Sequence, residues 1–344
     1  MMFRLFLLAA LSLTTIEACT AFPKIAIAQR AIAITPTPLT IENQFDSASD
    51  FAEGAALVQF GREFRYIDRA GRLTVTPKIE LEAYAPFSEG LAIVKLGGLF
   101  GYLNRQGEFA IEPKFEQVSK FQEGLAAIRV DRRYGFIKPT GEVVIPPKFE
   151  LTSGFSQGLA AVKLGAKYGY INPTGQIKIE PKFDDAWRFS AGLAAARIGQ
   201  KWGYINQSGQ FVVQPQFDGA FNLADAMGRV RVGERWGYVD SRGKVAIAPQ
   251  YSFASDFSNG LALVQSNQKW GYIDKLGKFV IEPKYEFAGS FQEGFAPVKI
   301  GDKWGYIDST GRIAIAPQFE EAGAFHEGLA RVKLNDKWGY IPKP

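Results

Sequence analysis

The sequence predicts an all-β protein built from tandem repeats, and two observations carry this prediction. The first is a motif of an aromatic residue, a glycine and a second aromatic residue, whose glycine returns at constant intervals of 34 residues. The second is the alternation of apolar and polar residues in short segments that turn residues separate. A period of this length marks an array in which each repeat is one supersecondary unit stacked on its neighbours. The glycines are Gly101, Gly135, Gly169, Gly203, Gly237, Gly271, Gly305 and Gly339.

Three strand-like segments recur in each unit, as residues 159–165, 167–172 and 176–183 illustrate. β-Branched and aromatic residues dominate these segments, which is typical of strands. In the third segment the apolar residues fall on one face and the polar residues on the other, so this strand is half-buried. Proline recurs in the third segment and cannot donate a ladder hydrogen bond, which predicts an edge strand or a strand end. These prolines are Pro77, Pro113, Pro147, Pro181, Pro215, Pro249, Pro283 and Pro317.

Two kinds of turn join the segments. Residues 172–175, with the sequence Asn-Pro-Thr-Gly, fit a type I turn between the second and third segments. Residues 199–200 suit a two-residue hairpin between the first and second segments. We therefore predict that each unit is a three-stranded antiparallel meander. Because glycine weakens a strand unless another group approaches its backbone, we expect a bulky side chain, that of Phe217 or Phe189, to cover Gly203.

The order of the segments leaves two arrangements of the array open. The array occupies residues 39–344 as a single body of about nine units. It begins with a third-type segment at residues 39–45 and ends with a second-type segment at residues 337–341. In a closed ring, these two terminal segments would together complete the last sheet. A period of 34 residues is short for a four-stranded propeller blade of about 40–45 residues. We therefore expect an open, curved or superhelical array, with a closed propeller-like ring as the alternative.

The N-terminus has the features of an export signal. Residues 5–13 form an apolar run that follows Arg4 and is too short to span a bilayer of about 20 residues. We predict that residues 1–28 are a signal peptide or lipoprotein signal and that residues 29–38 are a linker. Lipidation at Cys19 and cleavage after Ala28 remain alternatives. The protein is then exported and is periplasmic, secreted or anchored to the cell envelope.

Composition and single residues give little indication of catalysis. The 40 basic and 35 acidic residues are well mixed, unlike the surface of a nucleic-acid-binding protein, so no nucleic acid is expected as a partner. His326 is the only histidine and Cys19 the only cysteine, so we predict no catalytic residues, metal site or cofactor, and no intramolecular disulfide. Glutamates recur once per repeat in loops, which we interpret as solvated positions: Glu89, Glu123, Glu293 and Glu327.

Basic residues recur in two rows, one in the first segment of each unit and one just before the aromatic residue. Stacked repeats would turn each row into a stripe that could bind an acidic polymer or a lipid surface. Pairing with neighbouring acids is the alternative. The first row contains Lys163, Arg197, Arg231, Lys299 and Lys333. The second row contains Lys167, Lys201, Arg235, Lys269 and Lys303.

The motifs KWGYID, I-x-P-x-F and F-x-E-G-L-A-x-V, repeated in register over residues 41–344, resemble the WG-containing repeat family of bacterial proteins. The resemblance implies a β-rich repeat scaffold and no particular activity. Arg65 and Ala226, which replace glycines, are the clearest departures. We interpret the Trp-Gly pairs as the packed core of the repeat: Trp202 and Gly203, Trp236 and Gly237, Trp270 and Gly271, Trp304 and Gly305, Trp338 and Gly339.

Together these features predict a non-enzymatic, exported scaffold that binds a protein or a cell-envelope polymer. The alternative is a module that binds carbohydrate or a polyanion through the repeated tryptophans and basic rows. The sequence leaves the oligomeric state open and allows a lipid anchor. We expect any specific site to lie where the copies differ, including the departure at residues 223–226.

Overall fold

A computed structural model describes residues 37–75 and 81–344. Within these ranges 36 strands form nine four-stranded antiparallel sheets, which we call blades 1 to 9. Among the described residues there is no helix with the length and apolarity needed to cross a membrane. The predicted signal at residues 1–28, including Cys19 and Ala28, and most of the predicted linker lie outside the described residues.

The strands run in chain order from blade to blade, except that β1 (Ile41–Phe45) belongs to blade 9. Blade 1 contains β2 (Ser47–Ala48), β3 (Ala56–Phe60), β4 (Glu63–Ile67) and β5 (Leu73–Val75). Blade 2 contains β6 (Ala83–Ser88), β7 (Leu91–Leu96), β8 (Leu99–Leu103) and β9 (Phe109–Phe115). Blade 3 contains β10 (Gln117–Val118), β11 (Ala126–Val130), β12 (Arg133–Ile137) and β13 (Val143–Phe149). Blade 4 contains β14 (Leu151–Ser156), β15 (Leu159–Leu164), β16 (Lys167–Ile171) and β17 (Ile177–Phe183).

The later blades repeat this order of first, second, third and fourth strands. Blade 5 contains β18 (Asp185–Ala186), β19 (Ala194–Ile198), β20 (Lys201–Ile205) and β21 (Phe211–Phe217). Blade 6 contains β22 (Gly219–Ala224), β23 (Met227–Val232), β24 (Arg235–Asp240) and β25 (Val245–Tyr251). Blade 7 contains β26 (Phe253–Ala254), β27 (Ala262–Ser266), β28 (Lys269–Ile273) and β29 (Phe279–Tyr285). Blade 8 contains β30 (Phe287–Ala288), β31 (Phe295–Ile300), β32 (Lys303–Asp308) and β33 (Ile313–Phe319), and blade 9 contains β34 (Glu321–His326), β35 (Leu329–Leu334) and β36 (Lys337–Pro342) with β1.

The two ends of the described chain meet in blade 9 and close the array into a propeller. Strand β1 pairs antiparallel with β36, with Ile41 opposite Tyr340 and Phe45 opposite Trp338. The prediction of an all-β array of 34-residue repeats is confirmed, and so is the alternative of a closed ring. The open array that we favoured is wrong, because the offset between the terminal segments supplies the fourth strand of the last blade.

Each blade has one strand more than the predicted meander. The extra strand is the first of the blade and lies in the long connection between units, where in blades 1, 3, 5, 7 and 8 it is only two residues long. Because this strand uses residues of the connection, 34 residues suffice for a four-stranded blade. In blade 5, Arg188 Nη1 donates to Gln122 Oε1 of blade 3 over 3.5 Å. A contact that skips a blade requires the blades to converge, so we place the first strands nearest the axis.

The glycine of the aromatic-Gly-Tyr motif is required by a backbone contact. Trp202 pairs with Phe217 and Tyr204 with Val213, so the fourth strand bulges opposite Gly203. A β-carbon at Gly203 would overlap the carbonyl oxygen of Val213. The expectation that the side chain of Phe217 or Phe189 covers this glycine is therefore wrong, since backbone atoms of the fourth strand are nearest to it. The described prolines of this segment, such as Pro215, lie in this bulge on an edge strand, where no ladder donor is needed, whereas Pro77 lies outside the described residues.

The tyrosine that follows this glycine joins neighbouring blades. Each is buried, and its hydroxyl donates to a carbonyl oxygen in the first-strand region of the next blade, as Tyr170 donates to Trp187 over 2.7 Å. Burial raises the pKa of these tyrosines well above the ordinary value, so they remain neutral donors. Phe136 in blade 3 has no hydroxyl to donate. The other bonds in the described structure join Tyr66 to Ala85, Tyr102 to Ser119, Tyr204 to Phe221, Tyr238 to Ser255, Tyr272 to Gly289, Tyr306 to Gly323 and Tyr340 to Ser49.

A first prediction concerns these hydroxyl bonds. We expect Tyr170→Phe to lower the free energy of unfolding by about 1–2 kcal/mol, because the buried carbonyl of Trp187 loses its donor. The reverse change Phe136→Tyr supplies a hydroxyl to the junction with Ser153 and should leave stability unchanged or raise it by about 0.5–1 kcal/mol. Denaturant unfolding followed by tryptophan fluorescence measures both. Equal destabilisation by the two changes would contradict the role of the hydroxyl and point to ring packing alone.

A second prediction concerns acid. The Lys167 ammonium, followed by the Gly199 backbone N–H, holds the pKa of Asp184 below its ordinary 3.8, and Asp218 is held low by Lys201 and Gly233 in the same way. A carboxyl whose pKa falls on folding stabilises the protein above its ordinary pKa, and this contribution is lost as pH falls through the folded value. The free energy of unfolding should therefore decline below about pH 4.

The decline should be shallower in the double variant Asp184→Asn, Asp218→Asn, because two of the carboxyls that take up protons on unfolding are gone. Urea unfolding between neutral pH and pH 2.5 measures the slope, and Asp302→Asn in an exposed hairpin serves as the control. A double variant with the wild-type slope would show that these pairs do not link folding to protons.

Candidate ligand-binding face

The two faces of the ring are built from different turns. We call the face that carries the hairpins between second and third strands, and the starts of the first strands, the lower face. The upper face carries the turns between first and second strands and those between third and fourth strands. Strands alternate in direction within each blade, so every blade contributes the same turns to the same face.

Polar groups of the upper face are used to join blades. The residue before the glycine of each first turn has a positive φ, as at Glu123, and so has the glycine, which is the geometry of a tight hairpin. The Glu123 carboxylate accepts from the backbone N–H groups of Gln157 (2.6 Å) and Gly158 (3.0 Å) in the next blade. Equivalent bonds lead from Glu53 to Gly90, Glu89 to Gly124, Gln157 to Gly192, Asp225 to Gly260, Asn259 to Gly294, Glu293 to Gly328 and Glu327 to Gly54.

The recurring glutamates are therefore acceptors between blades rather than freely solvated residues. The junction from blade 5 to blade 6 differs, because Ala191 offers no side-chain acceptor and Ala226 replaces the glycine. A Ser190 hydroxyl bond to the Leu223 carbonyl oxygen (2.6 Å) still joins these two blades. The departure seen at residues 223–226 thus marks a junction that has lost its turn-to-turn bond.

His326 lies at the junction where the ring closes. Its Nε2 is 3.6 Å from Asp50 Oδ2, and Arg331 Nε is 2.9 Å from Asp50 Oδ1. The Arg331 guanidinium also donates to the Ala48 carbonyl oxygen over 2.9 Å, so this cluster ties blade 9 to blade 1. Among the described side chains, histidine, cysteine and carboxylate groups nowhere gather in threes in a way that could hold a metal ion.

The first basic row divides according to the residue opposite each cation. Arg197 faces Asp185 and pairs with it at 3.8 Å, and Lys333 pairs with Glu321 at 3.1 Å. The remaining three members face Leu151, Gly219 and Phe287, which cannot form ion pairs. Within the described ranges no carboxylate pairs with these three, which are Lys163, Arg231 and Lys299.

The second basic row bridges neighbouring blades at the lower face. Lys167 pairs with Asp184 at 2.6 Å, and Lys201 pairs with Asp218 in the same manner one blade further on. Arg235 meets no acid at the equivalent place and donates to the Gln250 carbonyl oxygen. Lys269 and Lys303 pair with Glu286 at 3.2 Å and Glu320 at 4.0 Å. The acids in these pairs stand at the start of each first strand.

Large apolar side chains are exposed on the lower face in consecutive blades. Leu151 in blade 4, Phe253 in blade 7 and Phe287 in blade 8 are 44%, 39% and 55% exposed. The hairpin tips of blades 5, 6 and 8 add exposed Ile198, Val232 and Ile300. We call these six residues the apolar arc. In the other blades, the position of Leu151 is occupied by Ser47, Ala83, Gln117, Asp185, Gly219 and Glu321.

An aromatic groove lies between blades 5 and 6, inside the span of the arc. Trp187 stacks on Trp202 with ring centroids 6.4 Å apart, and Phe221 lies 6.2 Å from Trp187 and 5.6 Å from Trp236. With Asp218, Gly219, Ala220 and Arg231 these rings line a cavity of about 390 Å³. The Arg229 guanidinium covers Phe221 at 4.5 Å from the ring centroid. We call the four rings and Arg231 the aromatic groove.

Sequence reasoning missed Trp187 and Phe221, although a signal was present. Both stand at the position whose carbonyl oxygen accepts the tyrosine hydroxyl of the preceding blade. The other blades have a small residue at this position: Ser49, Ala85, Ser119, Ser153, Ser255, Gly289 and Gly323. The tryptophans of the Trp-Gly pairs are partly exposed and the glycines are buried, so only part of each pair lies in the core.

Comparison with solved structures shows the fold. A structure described as the eukaryotic initiation factor matches with a TM-score of 0.60 at 14% identity, covering 90% of this chain and 94% of the other. Hsv2p of Kluyveromyces lactis matches with a TM-score of 0.42 at 10% identity, covering 78% and 98%. PorZ of Porphyromonas gingivalis, described as a surface component of the type-IX secretion system, matches with a TM-score of 0.34 at 13% identity, covering 88% and 53%.

No curated protein matches the sequence. A family model described as WG containing repeat matches eight consecutive segments from residue 64 to residue 338. The segments are 64–100, 100–133, 134–168, 168–202, 202–236, 236–270, 270–304 and 304–338. Their boundaries fall at the aromatic residue that opens each motif, so the repeat of the family is the repeat of the blades. The chain therefore belongs to the WG-containing repeat family.

Proposed function

We propose that the protein is a non-enzymatic, exported scaffold that binds a protein partner on the lower face of the propeller. The observation that carries this proposal is the apolar arc, which exposes large side chains in blades 4 to 8. Leu151, Phe253 and Phe287 of the arc share a position that is small or polar in the other blades. Contiguous exposed apolar surface is a mark of interaction sites in soluble proteins. Because the hydrophobic groups are not needed by neighbouring blades, burial against a partner is the role that accounts for them.

The charges beside the arc indicate the chemistry of the partner. Lys163 and Lys299 stand directly opposite Leu151 and Phe287, and no acid among the described residues pairs with them. A partner that carries apolar groups and nearby carboxylates would match this surface, and such complementarity favours specificity and rapid association. Acids at the starts of the first strands, such as Asp184 and Asp218, are already paired with the second basic row, so the unpaired Lys163 and Lys299 beside the arc favour an anionic partner.

The absence of enzymatic activity is part of the same proposal. The recurring carboxylates of the upper face accept hydrogen bonds that join blades, as Glu123 does for Gly158. His326 and Asp50 lie in the cluster that closes the ring. A general acid or base needs reach to a substrate proton, whereas these groups are engaged in holding the ring together.

Export rests on the N-terminal sequence, with its apolar run at residues 5–13. We expect the protein recovered from an envelope fraction to begin at Cys19 with attached lipid or just after Ala28. Intact-mass and N-terminal peptide measurements distinguish the two. Recovery of the full chain from the cytoplasm alone, beginning at its first methionine, would contradict export and leave the binding proposal to be tested separately.

Site-specific photo-crosslinking in cells tests the binding proposal. A photoreactive residue at position 253 or 287 should give a discrete adduct with one protein, whereas the same residue at position 143 or 245 should not. Val143 and Val245 are equally exposed but lie on outer strands. The adduct at position 287 should weaken about tenfold when Phe253→Ser and Lys163→Glu are introduced, because both remove contacts at the interface centre. Adducts of equal yield at arc and control positions would overturn the proposal.

A further inference from the structure

We propose that the aromatic groove between blades 5 and 6 is a binding site for an anionic sugar, a pyranose that carries a carboxylate. The groove lies on the same face as the apolar arc but shares no residue with it. The inference therefore goes beyond the protein-binding proposal and does not depend on it.

The fold does not require aromatic side chains at two of the groove positions. The carbonyl oxygen of Trp187 accepts the hydroxyl of Tyr170 at 2.7 Å, and the carbonyl oxygen of Ser119 accepts that of Tyr102 at the same distance. This position therefore performs its structural role through the backbone with any side chain. Trp187 is nevertheless 41% exposed. A large aromatic residue held partly in solvent, where other blades have serine, alanine or glycine, indicates a ligand contact.

The rings form a platform that suits the apolar face of a sugar. Trp202, Trp187, Phe221 and Trp236 follow one another at centroid distances of 6.4, 6.2 and 5.6 Å, with interplanar angles of 30°, 32° and 41°. Successive rings are thus only moderately inclined to one another. Rigid aromatic side chains provide a large contact area at a low cost in conformational entropy. The groove volume of about 390 Å³ lies at the small end of the range for ligand sites, which favours one or two sugar rings over an extended peptide.

The charge available in the groove is positive. Arg231 lies 5.8 Å from the Trp236 ring centroid, and no carboxylate in the described part of the chain pairs with it because Gly219 stands opposite. Asp218, the acid of the groove, has its two oxygens occupied by Lys201 and by the Gly233 N–H. A guanidinium beside an aromatic platform binds a carboxylate through paired hydrogen bonds. These features select an acidic sugar over a neutral one.

Arg229 makes part of the groove rigid. Its Nη1 donates to the Ala254 carbonyl oxygen at 2.8 Å, its Nε lies 3.3 Å from Asp256 Oδ1, and its guanidinium covers Phe221 and Trp236. The equivalent residue of blade 5 is Ala195. Arg229 therefore fixes two rings and leaves Trp187, Trp202 and Arg231 as the groups that meet the ligand. A site whose side chains are already fixed in the binding conformation loses less conformational entropy when the ligand binds.

Isothermal titration calorimetry of the full chain with trigalacturonic acid tests this inference. We expect saturable binding that weakens with salt, and much weaker binding of galactotriose, which lacks carboxylates. The double variant Trp187→Ser, Phe221→Ser installs the residue of other blades and should weaken binding about tenfold or more. Arg231→Gln, with the residue that blade 7 has as Gln265, should bring trigalacturonic acid down to the level of galactotriose.

Two controls separate the groove from the rest of the propeller. Trp304→Tyr, which installs in blade 8 the residue found in blades 3 and 4, should leave the affinity unchanged, and so should Phe253→Ser, Phe287→Ser in the apolar arc. Thermal unfolding confirms that each variant is folded. The inference is overturned if trigalacturonic acid does not bind, if the Trp187→Ser, Phe221→Ser variant binds as wild type, or if an acidic proline-rich peptide binds more tightly than the sugar.

Discussion

A buried tyrosine hydroxyl that donates to the backbone of the next blade is the contact on which eight of the nine blade junctions in the described structure depend. Tyr170 lies in the core, and its hydroxyl satisfies the carbonyl oxygen of Trp187 across the junction. The bond joins the third strand of one blade to the first-strand region of the next and does not depend on the side chain of the accepting residue. The bulge of the fourth strand over Gly203 belongs to the same arrangement, because it brings the outer strand against the strand that carries the tyrosine.

Because the backbone carbonyl makes the contact between blades, the side chain at the same position can differ between copies without loss of the fold. The position of Trp187 has serine in blade 4 and tryptophan in blade 5, and both residues occupy the same place beside a neighbouring third strand. The residue opposite each cation of the first row also varies between blades, since it is Glu321 in blade 9 and Phe287 in blade 8. The side chains that the junctions do not use can therefore vary from blade to blade.

The two faces of the ring consequently have different uses. On the upper face, carboxylates such as Glu123 accept hydrogen bonds from the first turn of the next blade. These carboxylates therefore have a structural role in joining the blades. On the lower face, ion pairs such as Lys167 with Asp184 neutralise the second basic row except for Arg235, which donates to a backbone carbonyl oxygen. What remains available there is apolar surface, one aromatic groove and three cations of the first row without an ion pair among the described residues, which is a composition suited to binding.

The sequence by itself determined the β-rich class, the 34-residue period, the turns and the edge position of the prolines, because these depend on residues close together in the chain. It could not decide between an open array and a ring, since that rests on the pairing of Ile41 with Tyr340. It missed the first strand, which in five of the described blades is two residues long and too short to show alternation. Only the tertiary structure separated the paired from the unpaired cations of the basic rows and placed Trp187 and Trp236 in one groove. Both results depend on which side chains meet across a blade or a junction.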